Sequence, residues 1–575
     1  MSLEWNFADV WEAVAEVAPE ALAQVHGDRV VTWAEFDQRA NGIAAAFLRE
    51  GCQQQDKVAL YLHNGPEYLQ SAFACMKAGL VPVNTNYRYQ QDELVYLWDN
   101  ADATVVIFHG AFTDMVEAVR ARCTKVRLWI YVDDGDHVDG GDGGDGGAAA
   151  CPAWAMPFDV AATPNAQRVV APWGRSGDDL ILIYTGGTTG RPRGVMWRQH
   201  DLYAASNTTG DPAQASLGHV RGRIASARAS GQAAPIGLPA APLMHGTAFV
   251  FASTILNRGG NVVTLTQTPF EVTELLGVIE AEQVTDLCIV GDAFCRPMVD
   301  ALDTHPGRWN VTSLKAVSSS GMMWGSQNKE RLLAHAPAAL LIDFLNSSEA
   351  SGMGRAISSK QRVNPSARFK LGQNAFVIDD AGCPVPPGSG IAGRIAVRGG
   401  VPIGYYGDPV KTAATFPMID GVRCAIPGDF ALVEADGSIT LLGRGSVSIN
   451  TGGEKVFPEE VEECIKLLPQ VRDAVVVGVP DERFGETVAA VVELVDGQTV
   501  TASDVTAHVR ARLARHKAPR HVMVVDSVGR GPNGKADYLG LRKRVLSWLQ
   551  PQPGGNIEKV ETVETVETVA KAGGQ

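Results

Sequence analysis

Tyr184-Thr185-Gly186-Gly187-Thr188-Thr189-Gly190-Arg191-Pro192-Arg193-Gly194-Val195 follows directly on the apolar run Leu180–Ile183. A short apolar run before such a glycine cluster reads as a buried strand that opens into a loop. Glycine allows a tight turn whose backbone N–H groups point at phosphate oxygens. Threonine hydroxyls add donors, and arginine adds charge. The chain before this loop has the texture of an α/β sheet. Phe36, Ala40, Ile43 and Phe47 recur on one face of an amphipathic helix. Strand-like Val58–Leu62, a helix opening at Pro66 and strand-like Val81–Val83 come next. Helical patterns near Asp92–Asn100 and Met115–Arg122 then alternate with strand patterns at Ala103–Phe108 and Val126–Val132. This alternation predicts a mostly parallel sheet wound with helices on both faces.

Further along, the texture changes. Asp133–Ala150 is a Gly/Asp tract expected to form a flexible surface loop. Its Gly141–Gly146 segment matches a dinucleotide-binding pattern by letter, but no helix-forming segment follows it. The Gly-, Ala- and Ser-rich stretch Ala204–Ala240 is expected to be an irregular excursion. Between about 370 and 443 short β-like runs and turns take over, with a hairpin at Phe430–Glu434, Asp436-Gly437 and Ser438–Leu442. Beyond Gly443 an α+β unit is expected, with helices over Pro458–Leu468 and Asp504–Arg515 and strands at Ala474–Val479, Val488–Val495 and Val522–Val525. The expected domains are therefore 1–443, including a β subdomain over about 370–443, a mobile catalytic unit 444–550, and a disordered tail 551–575. The tail repeats Val-Glu-Thr, a period of three that suits neither helix nor strand.

Bulk properties set the limits. With 50 basic against 64 acidic residues the chain carries −14, which argues against a broad nucleic-acid-binding surface. Nine dispersed cysteines without a CxxC pair read as reduced thiols in a cytoplasmic protein. The first residues lack the basic start and apolar run of a signal peptide, and no apolar stretch is long enough for a membrane span. Gly529-Arg530-Gly531-Pro532-Asn533-Gly534-Lys535-Ala536 nearly matches the kinase-type phosphate loop. Ala536, however, has no hydroxyl for Mg²⁺, and Pro532 removes a backbone donor. Lys535 on a glycine turn can still deliver a mobile charge to a phosphate elsewhere.

Together these motifs, in this order, resemble the adenylate-forming superfamily of acyl-CoA synthetases, adenylation domains and luciferases over roughly residues 10–548. Tyr184–Val195 resembles its phosphate loop, which implies nucleotide contacts from Thr185, Gly186, Gly187, Thr188, Thr189, Gly190 and Arg193, with Thr188 also catalytic. Pro242-Leu243-Met244-His245-Gly246 resembles the acyl-pocket histidine motif, and Asp343–Glu349 the adenine and magnesium motif. Ser320, Gly321 and Ser348 are implied to bind nucleotide, and Glu349 to hold Mg²⁺ and serve catalysis. Ile426-Pro427-Gly428-Asp429 resembles the ribose-binding aspartate motif, and Gly443-Arg444 the start of the hinge, which implies a ribose held by Asp429 and Arg444. Gly452–Glu462 resembles the loop and helix beyond the hinge, and Gly534-Lys535 the C-terminal catalytic lysine. His245 is implied to line or gate the acyl site. Arg193 stands where lysine is more common, Leu345 where an aromatic usually packs on adenine, and Ser446-Val447 where charged hinge residues are usual.

The resemblance implies an enzyme that uses ATP, Mg²⁺ and coenzyme A to turn a carboxylic acid first into acyl-AMP and then into acyl-CoA. The C-terminal unit is implied to rotate, withdrawing Lys535 and presenting 448–455 to CoA. Segments 187–199 and 443–456 are most similar to those of bacterial ligases for steroid side-chain acids, and related enzymes take medium- or long-chain fatty acids. Small residues and methionines at Gly291–Phe294 and Ser319–Met323 are expected to leave room for a bulky acid. Two other readings stay open: an adenylation enzyme that loads a carrier protein or amine, and a non-catalytic acyl- or nucleotide-binding relative. A homodimer is also left open.

Overall fold

The computed structural model describes residues 5–133, 151–185, 191–207, 216–451, 454–481, 485–531 and 536–549. The chain divides into a large unit, 1–365 with 369–376 and 396–427, and a smaller one, 366–368 with 377–395 and 428–575.

In the large unit, helices α1 (Phe7–Val17) and α2 (Trp33–Arg49) precede an alternating series. It runs β1 (Lys57–Tyr61), α3 (Pro66–Ala78), β2 (Val81–Asn84), α4 (Gln91–Asn100), β3 (Ala103–His109), α5 (Thr113–Arg120) and β4 (Leu128–Val132). Phe36, Ala40, Ile43 and Phe47 are all buried, as the helical spacing requires. Thr32 and Glu35 form a capping box that fixes where α2 begins. Trp11 of α1 meets Phe73 of α3 edge-on at 5.1 Å, and Phe36 approaches the same ring at 4.9 Å. Burying each aromatic stabilises the packing by roughly 1.5–3 kcal/mol.

The apolar strand expected before the glycine loop is β5 (Leu180–Thr185), and it returns as β6 (Arg193–Arg198). β1 pairs in parallel with β2 and β3, β3 with β4, and β2 with β5; β5 and β6 are antiparallel. Thr185 pairs with Arg193, so β5 and β6 form an antiparallel pair, and the residues between them, 186–190, lie outside the described residues.

A second sheet follows. In the stretch Ala204–Ala240, expected to be irregular, most of the described residues are regular structure: the end of α6 (Gln199–Asn207), then α7 (Leu217–Ala229) and β7 (Ile236–Pro239), while 208–215 lie outside the described residues. Ser216 caps α7 by accepting the His219 N–H at 3.2 Å, and alanine and arginine fill its turns with good helix formers. Gly218 and Gly222 made this stretch look irregular. They lie on an open face where an added Cβ would meet nothing within 4 Å. The sheet continues through α8 (Gly246–Asn257), β8 (Asp286–Ile289), α9 (Asp292–Thr304), β9 (Ala316–Ser320), β10 (Leu340–Ser347) and β11 (Ala350–Ser358). Strands β7, β8, β9 and β10 run parallel, and β11 folds back on β10. A short helix, Pro409–Thr415, interrupts the region expected to hold only strands and turns.

The smaller unit contains the predicted hairpin, β12 (Asp429–Val433) and β13 (Ser438–Arg444), turning at Gly437 with φ +78°. Helix α10 (Pro458–Lys466), strands β14 (Val471–Asp481) and β15 (Gly485–Leu494), helix α11 (Ala502–Arg510), strand β16 (His521–Val525) and helix α12 (Tyr538–Leu549) follow. Alternation along β14 sends Ala474 and Val476 into one core with Val461, Ile465 and Val505. Val475 and Val477 face the other, with Leu541 and Val545. A sheet covered on both faces explains the near-continuous valines of this segment. The tail 551–575 and the tract 134–150 lie outside the described residues.

Candidate active site

Parallel strands present their carboxyl ends at one edge, where ligands of open α/β sheets bind. The candidate residues of the large unit follow this rule. His245 comes after β7 and stands at the N-cap of α8, its carbonyl accepting the Phe249 N–H at 3.1 Å. Ser320 ends β9, is buried, and is followed by Gly321 at φ +93°. Thr185 ends β5.

Ser347 pairs with Ala350, so Ser348-Glu349 is the turn of the β10–β11 hairpin. Two neighbours hold this turn. The Trp197 indole N–H donates to the Ser348 carbonyl at 2.8 Å, and the Tyr405 phenol donates to Glu349 Oε1 at 2.9 Å. Burial, then the Glu349 charge, raises the Tyr405 pKa, so the phenol stays protonated and able to donate. Tyr405 lies in the Gly404–Tyr405 strand, which pairs with β6 and thereby ties this turn to the strand that follows the glycine loop.

Arg193 Nε pairs with Asp408 at 3.1 Å, both side chains partly exposed, so the arginine's charge is shared and the pair adds little stability. Arg191 lies over the Tyr96 ring at 4.8 Å. These residues, with Asn100 and Tyr406, line a cavity of about 400 Å³ at the start of β6. Asn84 sets the local frame. Its amide bonds the Tyr184 carbonyl at 2.9 Å and the Met244 carbonyl at 2.6 Å, joining the end of β5 to the loop that carries His245.

In the smaller unit, Asp429 opens β12 and Arg444 closes β13 opposite it, with Arg444 Nε 3.4 Å from Asp429 Oδ1. Asp429 is buried, and the antiparallel register brings the two side chains together.

The AMP-binding enzyme family matches residues 11–406, and its C-terminal domain matches 460–535. The chain belongs to the AMP-binding enzymes. A medium/long-chain-fatty-acid–CoA/3-oxocholest-4-en-26-oate–CoA ligase of Mycolicibacterium smegmatis is 38% identical over 546 residues, covering 93% of this chain and 95% of the relative. A 3-oxocholest-4-en-26-oate–CoA ligase of Rhodococcus rhodochrous is 38% identical over 538 residues, covering 93% and 94%. The solved anthranilate CoA ligase AuaEII, in complex with anthranoyl-AMP, aligns with TM-score 0.78 at 20% identity over 95% of this chain and 98% of that one, which shows the shared fold.

For an AMP-binding enzyme of this sequence, the glycine and threonine residues Gly186, Gly187, Thr188, Thr189 and Gly190, and the lysine Lys535, fall outside the described residues. Tyr405, Trp197, Asn84 and Asp408 were missed in the sequence. Gly404-Tyr405-Tyr406-Gly407-Asp408-Pro409, a turn leading into a helix start, could have flagged Tyr405 and Asp408. Nothing local marks Asn84. One expectation is corrected: Gly291 does not leave room for a ligand. A Cβ there would stand 2.5 Å from the Met323 carbonyl, so its smallness serves close packing of the chain. Another apolar cavity, lined by Leu60, Tyr68, Ile183, Met244 and Phe249 among others, holds only about 20 Å³. Among the described residues no helix is long and apolar enough to cross a membrane.

Proposed function

We infer that the protein is an AMP-forming acyl-CoA ligase that activates a bulky steroid side-chain acid or a medium- or long-chain fatty acid. The carrying observation is the Glu349 turn, held by Tyr405 and Trp197 at the end of the strand that bears the adenine motif. Ligases named for such acids match more than nine-tenths of the chain, which supports the substrate class.

ATP is bound through Thr185, the glycine loop and Arg193, with Ser320, Gly321 and Ser348 toward the base. Asp429 and Arg444 together take the ribose, Asp429 accepting its hydroxyls. The substrate carboxylate attacks the α-phosphorus and pyrophosphate leaves, giving acyl-AMP. The CoA thiol then attacks the acyl carbonyl, and AMP leaves. Most of the catalysis is positioning and charge neutralisation, the work of Lys535 and the loop donors in the first step. His245 lines the acyl end.

Glu349 fits a hard divalent cation: it is a carboxylate whose Oε1 is oriented by the Tyr405 phenol. Mg²⁺ held there would supply charge neutralisation to the phosphates. A single protein carboxylate suits Mg²⁺, which takes its other oxygens from phosphate and water. The reaction is assigned to the cytoplasm. Segment 444–550 is proposed as the catalytic unit, with its pivot near Arg444, and alternates Lys535 with 448–455 between the half-reactions. Acid-dependent pyrophosphate release over a panel of carboxylic acids tests the assignment; release that ignores the acid would refute it.

A further inference from the structure

Glu459 lies on the first turn of α10, just after Pro458. Its carboxyl group sits over the α-carbon of Gly443. A Cβ built on Gly443 would stand 2.0 Å from Glu459 Oε2 and 3.1 Å from Oε1. Gly443 has φ +115°, so this position demands glycine for both backbone and space. The next residue is Arg444, the partner of Asp429. The backbone of Arg444 and the N–H of Glu459 itself face the same carboxyl. Beyond Arg444, a Cβ on Gly445 would meet the Phe430 ring at 2.5 Å, and that ring packs on Phe457 at 5.2 Å. The start of α10 is therefore keyed into both glycines that flank Arg444.

The charges around Glu459 are specific. Glu462 is one turn along α10, buried, and accepts the Val476 N–H at 2.9 Å and the Tyr538 phenol at 3.0 Å. Asp429 from β12, Arg444 from β13 and Tyr538 from α12 also face this region. Arg530, bound to Asp473 at 2.6 Å, faces Glu462, as does Lys466 from the end of α10; Lys517 is taken by Glu460 at 2.7 Å. Glu459 Oε2 has no hydrogen-bond partner among the described residues. Burial, then the neighbouring Glu462 carboxyl, pushes the Glu459 carboxyl above the usual carboxylate range, and burial raises Glu462 as well, so the two carboxyls titrate together as a pair. A neutral carboxyl group can sit near Asp429 without repulsion.

We propose that Glu459 is a positioning residue for nucleotide binding: in the arrangement that seats it over Gly443, it fixes the Gly443–Arg444 step and, through it, the Asp429–Arg444 pair, and the seat opens when segment 444–550 turns. This rests on the reading of Asp429 and Arg444 as the ribose-binding pair. It adds to that reading a residue that touches neither nucleotide nor acid. Ionised Glu459 repels Asp429 and Glu462 and loosens the seat, so ATP affinity falls on the alkaline side.

The test is KM and kcat for ATP across pH, by pyrophosphate release, in wild type, Glu459→Ala, Glu459→Gln and Asp429→Ala. Glu459→Ala should raise the ATP KM about tenfold, the scale of losing a group that orients a binding side chain. Its kcat should change by less than about twofold, as for lost uniform binding. Glu459→Gln, equal in shape and always neutral, should restore most of the affinity and blunt the alkaline rise in KM, Glu462 still titrating beside it. If Asp429→Ala raises KM and Glu459→Ala does not, the proposal is overturned while the ribose reading stands. If Asp429→Ala leaves KM unchanged, the ribose reading itself fails. Should Glu459→Ala not fold, parallel alkaline KM profiles for wild type and Glu459→Gln would overturn the proposal alone.

Discussion

The Tyr405 phenol reaches across to Oε1 of Glu349 at 2.9 Å, orienting the carboxylate at the tip of the β10–β11 turn. On the reading of Glu349 as the Mg²⁺ ligand, losing such an outer hydrogen bond leaves the carboxylate in place but free to rotate. Tyr405→Phe should raise the Mg²⁺ concentration for half-maximal adenylation by about tenfold, with kcat at saturating Mg²⁺ little changed. Pyrophosphate release titrated against Mg²⁺ checks this. An unchanged midpoint would show that Tyr405 only packs.

Lys535→Ala should suppress adenylation far more than transfer of supplied acyl-AMP to CoA. One preorganised charge at the developing phosphoryl centre is worth roughly 3–4 kcal/mol, on the order of 10²–10³ in rate. Separate assays of the half-reactions decide it, and equal losses in both would contradict the assignment.

Lys77 is fully buried between two carboxylates, 2.6 Å from Glu12 and 2.7 Å from Asp37, and so ties α3 to α1 and α2. Removing Lys77 takes the buried cation from beside Asp37, while Glu12 keeps Arg175 and Arg168. Lys77→Ala should therefore destabilise the large unit by about 3–5 kcal/mol. Urea denaturation with an unchanged m-value would measure it, and a loss within about 0.5 kcal/mol, the range of a surface change, would contradict it.

Glu12 and Glu459 give opposite pH signatures. Burial alone would raise the Glu12 pKa, but hydrogen bonds and charge from Arg175 and Lys77 outweigh it and lower the value from 4.5 to about 2. The folded state then holds fewer protons than the unfolded one. Its stability contribution is complete above pH 4.5 and is lost as pH falls toward about 2. Glu459 is raised, so the folded state holds the extra proton and stability declines as pH climbs above the ordinary carboxylate range. Glu459→Gln should thus gain on wild type in thermal stability as pH rises, while Glu12→Gln should blunt acid unfolding. Thermal melts across pH read both, and a Glu459→Gln advantage that shrinks with rising pH would reverse the sign.

Much of this was legible in the sequence because period and turn chemistry were clear. The α2 face, the alternating β1–β4 series and the Asp436-Gly437 hairpin each rest on local signals. Helix α7 is hard to read because glycines on its open face look like breakers, whereas Val220 and Ile224 bury its inner face. Glu349 and Asp429 stood out through their motifs. Their partners Tyr405 and Arg444 differ in that respect: Arg444 is close in sequence, whereas Tyr405 meets Glu349 only through the pairing of Gly404–Tyr405 with β6. Asn84 had no motif at all, since its role comes from bridging two distant strand ends. Gly291 shows the converse error, a small residue read as open space where the backbone of Met323 already fills it.

Substrate scope follows from the same account. Each methylene buried in an apolar site adds roughly 0.8 kcal/mol, so a long or steroidal acid should exceed acetate in kcat/KM by orders of magnitude. Acetate turning over best would remove the bulky-acid reading.

The most direct test of the ligase assignment follows the fate of the acyl group from ATP and a steroid side-chain acid, first without CoA and then with it. The account predicts acid-dependent pyrophosphate and enzyme-bound acyl-AMP in the first case, and acyl-CoA with AMP in the second. ADP and orthophosphate as products, or acyl-AMP that CoA does not consume, would contradict it.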